Sequence, residues 1–65
     1  MVIINGEKKD SYDGLSLDAL VAGEGYNLER IAAEVNGEIV GRRDYKETIL
    51  KDGDTIEVVS FVGGG

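Results

Sequence analysis

The first apolar run, Val2-Ile3-Ile4, is β-branched and stops at Asn5-Gly6. A polar stretch follows, Glu7-Lys8-Lys9-Asp10-Ser11, closed by Tyr12. An apolar arm, an Asn-Gly turn and a charged arm predict a hairpin. The apolar arm suits the centre of a sheet and the charged arm an edge. Asp13-Gly14 then breaks the chain, and Leu15 to Gly23 reads as a short helix. Ser16 is placed to cap it by accepting from a first-turn amide. Leu15 and Leu20 have the spacing of a hydrophobic staple. Asp18 suits the positive end of the helix dipole. Leu17, Leu20 and Val21 make one apolar face. Gly23 or Gly25 supplies the left-handed residue that ends a helix.

Two periods compete between Leu28 and Val40. Leu28, Ile31, Ala32 and Val35 fit a helix, while Ile31, Ala33 and Val35 fit a strand equally well. Asn36-Gly37 decides for a second hairpin, with Ile31 to Val35 and Glu38 to Val40 as its arms, because both turn residues tolerate positive φ. Gly41 to Leu50 is polar with Tyr45, Ile49 and Leu50 as apolar anchors, and Asp44-Tyr45-Lys46 fits one helical turn. Asp52-Gly53-Asp54 is a tight turn. Thr55 to Val62 is the clearest strand, rich in β-branched residues. The expected fold is α+β: a mixed sheet of four to five strands packed on one short helix. The first and last strands should lie side by side at its centre. Residues 1–62 form this domain, and residues 63–65 are expected to be a flexible glycine tail.

Composition narrows the chemistry. The 65 residues include ten glycines and no cysteine, histidine, tryptophan or proline. A domain this small buries only ~60% of the surface its unfolded chain exposes. Without cysteine there is no disulfide and no thiolate zinc site to compensate. Without histidine the commonest metal ligand and the usual general base are missing. Neither a Ser-His nor a Cys-His pair, nor persulfide chemistry, is possible on this chain. A binding or carrier role is therefore expected rather than an enzyme, with no metal and no bound cofactor. Thirteen acidic against seven basic residues give a net charge of -6. That balance disfavours nucleic acid and favours a partner with a basic patch. No apolar run approaches the ~20 residues needed to cross a bilayer. A soluble, cytoplasmic protein without membrane association is expected.

The sequence closes on Gly63-Gly64-Gly65, directly behind the strongest strand. Three residues reach at most ~10 Å when extended. Lacking Cβ atoms, they fit a channel too narrow for side chains. They would present an unhindered carboxylate on Gly65. That group is inert until a partner converts it with ATP to an acyl-adenylate, which a sulfur or amine nucleophile then attacks. The simpler alternative is a frayed terminus or linker.

Three segments carry a resemblance over essentially the whole chain: Glu34-Val35-Asn36-Gly37-Glu38-Ile39-Val40, Ile49-Leu50-Lys51-Asp52-Gly53-Asp54, and Val58 to Gly65 ending Phe61-Val62-Gly63-Gly64-Gly65. In order, spacing and total length the sequence resembles the ThiS family, the ubiquitin-like β-grasp sulfur carriers of thiamine biosynthesis. The resemblance implies that an ATP-dependent, E1-like activating enzyme adenylates the carboxylate of Gly65. Sulfur originating from cysteine then converts it to a thiocarboxylate, which a thiazole synthase uses to form thiazole. Gly64 would thread the channel and Gly63 would lengthen the tail. Gly41 departs from the proline common in the family after the Ile-Val pair. A carrier for molybdopterin or another sulfur pathway, or a ubiquitin-like protein modifier, would share the activation step.

Other residues complete the reading. In the last strand Ile56 and Val58 alternate with Glu57, Val59 and Phe61. One set should face the core and the other the open sheet. Val59, Phe61 and Val62 are thus candidates for docking the activating enzyme and the synthase. Arg42, Arg43 and Lys46 form a basic cluster that reads as a solvated loop. Asp52 and Asp54 flank a glycine, but the rest of a calcium loop is missing.

Overall fold

Five strands share one sheet in the computed structural model, which describes residues 1–61. They are β1 (Val2–Ile4), β2 (Glu7–Lys9), β3 (Ile31–Val35), β4 (Glu38–Val40) and β5 (Thr55–Ser60), in the spatial order β2-β1-β5-β3-β4. β1 runs parallel to β5, with Ile4 beside Ile56. The pairs β1–β2, β3–β4 and β3–β5 are antiparallel. The first and last strands adjoin as expected, and charged β2 is an edge.

Both Asn-Gly turns form. Asn5 and Gly6 have φ of 48° and 86°, and Asn36 and Gly37 have 53° and 85°. Two successive positive φ values give the twist that matches a right-handed hairpin. Helix α1 (Leu17–Gly23) starts where the cap predicts: Ser16 Oγ accepts from the Ala19 amide at 3.1 Å. The α1 residues Leu17, Leu20 and Val21 pack on Val2, Ile4, Ile31, Ala33, Ile56 and Val58 from one face of the sheet. Tyr12, Tyr45 and Leu50 belong to the same core. Each large side chain contributes about 1.5–3 kcal/mol on burial. Among the described residues no polar or charged residue is buried.

Several boundaries differ from the sequence reading. The second arm of the first hairpin ends at Lys9 rather than Tyr12. Tyr12 instead turns into the core and donates its hydroxyl to Glu24 at 2.7 Å. That hydrogen bond, with burial and the Glu24 charge added, raises the Tyr12 pKa above its ordinary 10.0. Gly23 makes room for the ring, since a Cβ there would stand 2.5 Å from the Tyr12 hydroxyl and 3.0 Å from a ring carbon. Leu15 remains 45% exposed, so the expected staple does not bury it. The helical period at Leu28 is real for one 3-10 turn, Leu28–Arg30, capped by the Asn27 side chain. The expected turn at 44–46 forms, with the Glu47 amide donating to the Asp44 carbonyl at 3.1 Å, and a 3-10 turn, Arg42–Asp44, precedes it. β5 ends at Ser60, and the Phe61 amide adds one more rung to the Arg30 carbonyl at 2.7 Å.

Candidate functional site

The candidate site begins at β5, the central strand that leads to the glycines. The candidate residues Val62, Gly63, Gly64 and Gly65 lie outside the described residues. Val59 and Phe61 lie within them, and each is 56% exposed. The cause is the strand period. Ile56 and Val58 point into the core, so Thr55, Glu57 and Val59 occupy the opposite, open face.

Register fixes the neighbours on that face. Val59 pairs with Ala32, Glu57 with Glu34, and Glu34 with Ile39 of β4. Ile39 is 77% exposed. The extra rung at Phe61 carries the same ladder one step further, opposite Arg30. The open face is therefore a mixed surface of Ile39, Ala32, Val59 and Phe61 around two carboxylates. No pocket is present among the described residues, so this part of the fold offers a surface and a strand end.

Two side chains hold β5 in position. β1 turns away after Ile4, which would leave Val58 without a partner on that side. Asn5 replaces it. Its backbone N–H donates to the Ile56 carbonyl at 2.9 Å. Its Oδ1 accepts from the Val58 amide at 2.8 Å, and its Nδ2 donates to the Val58 carbonyl at 3.2 Å. Asn36 acts at the other end, where its Oδ1 accepts from the Thr55 amide and its Nδ2 donates to Asp54 Oδ1, both at 3.0 Å. The hydrogen bond from Asn36 lowers the Asp54 pKa below its ordinary 3.8, and the Lys51 amide and charge add to this against partial burial. Sequence reasoning assigned both asparagines to turns only. A turn is local, whereas the Asn5–Val58 bond spans 53 residues and leaves no signature in the turn itself.

The remaining candidates fall outside this region. Arg42, Arg43 and Lys46 are exposed, and Arg42 reaches the Glu29 carbonyl at 3.4 Å. Asp52 accepts from the Met1 amino group at 2.6 Å, and Asp13 bonds the same group. Asp54 is occupied by Asn36 and the Lys51 amide. Among the described residues no cluster of three or more acidic, histidine or cysteine side chains could hold a metal ion. No helix among them is long and apolar enough to cross a membrane.

Comparison with known proteins gives a consistent result. The family model described as the ThiS family matches residues 2–65. The sulfur carrier protein ThiS of Bacillus subtilis is 42% identical over 71 residues, covering 100% of both chains. A thiazole synthase of Paramagnetospirillum magneticum is 36% identical over 64 residues, covering 98% of this chain. This chain spans only 20% of that relative's length. The crystal structure of the thiamine biosynthesis protein ThiS from Geobacter metallireducens superposes with a TM-score of 0.79 at 31% identity, covering 98% of this chain and 97% of that one. The mixed five-stranded sheet with its one helix is the ubiquitin-like β-grasp fold of these relatives. The chain belongs to the ThiS family.

Proposed function

We propose that this chain is a sulfur carrier for thiazole formation in thiamine biosynthesis. The observation that carries the proposal is 42% identity with the Bacillus sulfur carrier across the full length of both chains. The chain acts as a protein substrate. An E1-like activating enzyme joins the Gly65 carboxylate to AMP and releases pyrophosphate from ATP. Sulfur derived from cysteine, delivered at the sulfide level, attacks the acyl-adenylate, displaces AMP and leaves a thiocarboxylate on Gly65. A thiazole synthase then takes that sulfur. A stretch similar to this chain within a thiazole synthase supports that partner. Gly63 and Gly64 provide a tail without side chains that fits a narrow channel. Val59, Phe61 and Val62 form the docking flank beside it, and the exposure of Val59 and Phe61 supports this role. ATP is consumed by the partner, and the carrier itself binds no cofactor or metal.

Intact mass spectrometry tests the proposal. The chain ending at Gly65 is incubated with ATP, the cognate activating enzyme and a cysteine-derived sulfur source. A mass gain equal to replacing one oxygen with sulfur is expected. Deleting Gly65 should abolish the gain and leave the circular dichroism spectrum unchanged. An unmodified mass for the complete chain would sink the proposal.

A further inference from the structure

We infer that Glu34 and Glu57 form a recognition pair on the open face for a cationic side chain of the activating enzyme. The inference rests on the docking role proposed for this face. The β3–β5 register sets the two residues directly opposite each other. Both share the face of Ala32 and Val59, since the intervening Ala33 and Val58 point into the core. Opposed residues on one face have Cβ atoms about 5 Å apart, and like charges there destabilise the sheet. Neither carboxylate has an ion-pair partner among the described residues. Arg30 is four positions from Glu34, about 13 Å along an extended chain. The repulsion is thus left in place at the centre of the face.

The surroundings specify what would relieve it. Ile39 lies across from Glu34, and the Ala32–Val59 pair forms the next row. A partner that covers these apolar residues excludes water from the carboxylates, which strengthens their attraction for a cation. An arginine fits best, because its planar fork can donate to both carboxylates at once. The net charge of -6 steers such a partner toward the carrier. A second copy of the chain is the wrong occupant, because a two-fold contact would bring two such pairs together.

The Glu34→Gln/Glu57→Gln double variant of the full chain tests this. Its affinity for the cognate activating enzyme, measured by calorimetry at low and high salt, should fall at least about tenfold, with most of the salt dependence lost. The Tm of the free double variant should rise by about 3 °C. Unchanged affinity and salt slope would overturn the inference, and so would a lower Tm. A wild-type dimer that the variant abolishes, seen by sedimentation, would also overturn it. Sulfur loading separates the two levels. Failure of wild type to gain sulfur breaks the carrier proposal. Wild-type loading matched by the variant at limiting concentration breaks only the Glu34–Glu57 inference.

Discussion

The two Asn-Gly hairpins differ in how much of the fold depends on their asparagines. Their turn geometry is nearly identical, with asparagine φ of 48° and 53°. Both asparagines also reach β5. Asn5 makes two side-chain bonds to Val58, in a partly buried position. Asn36 bonds Thr55 and Asp54 at an exposed position where the strand begins. The same dipeptide thus starts the central strand at one end and extends its pairing beyond β1 at the other. Identical local geometry carries unequal energetic weight, and the difference lies in what the amide meets across the sheet.

Substitution should expose that inequality most strongly at Asn5. Asn5→Ala removes both bonds to Val58 and leaves alanine, which tolerates left-handed backbone less well than asparagine, at that position, and should cost about 3 kcal/mol in urea unfolding. Asn5→Gly keeps the backbone conformation and should cost about half as much. Equal costs for matched Asn5 and Asn36 substitutions would break the comparison.

The segment that follows the first hairpin is tied to the end of the helix through Tyr12 and Glu24. Gly23→Ala would press a Cβ against the packed Tyr12 ring and should destabilise by about 2 kcal/mol, despite alanine's better helix propensity. No loss in the melting midpoint would mean that the ring shifts freely. At the second hairpin, Asn36→Gly should cost only about 1 kcal/mol, because water can replace the exposed bonds.

The smallest effects divide the hairpins by pH. The Tyr12 pKa is raised, so its contribution is complete below pH 10 and is lost as pH climbs through the higher folded value. The Asp54 pKa is lowered, so its contribution is complete above pH 3.8 and is lost as pH falls through the lower folded value. Alkali should therefore loosen the side of the first hairpin, and acid the second. Tyr12→Phe should flatten the alkaline limb of the stability profile, and Asn36→Gly should flatten the acid limb. An acid limb unchanged in Asn36→Gly would remove Asn36 as its cause.

Much of this architecture was legible in the sequence because it is written locally. Ser16 caps α1, Asn-Gly makes both turns, and the alternation at Ile56 to Val59 divides β5 between core and surface. What was not legible depends on distant partners. Tyr45, Ile49 and Leu50 all read as apolar anchors, yet the fold buries Tyr45 and Leu50 and leaves Ile49 52% exposed. The opposition of Glu34 and Glu57 exists only once β3 and β5 are in register. The exposed face of β5 was partly legible: the period separates Val59 and Phe61 from Ile56 and Val58, but only the packed helix decides which set stays outside.

The parallel pairing of β1 with β5 has a consequence for synthesis. β5 lies between β1 and β3, yet it is the last of the five strands to leave the ribosome. Until it arrives, the two hairpins share no strand and their apolar edges have no common partner. Folding must then close the largest loop in the domain to join them, which slows the reaction and makes it cooperative. An incomplete nascent chain would lack the strand that unites the sheet, so only a chain translated through β5 could assemble the domain.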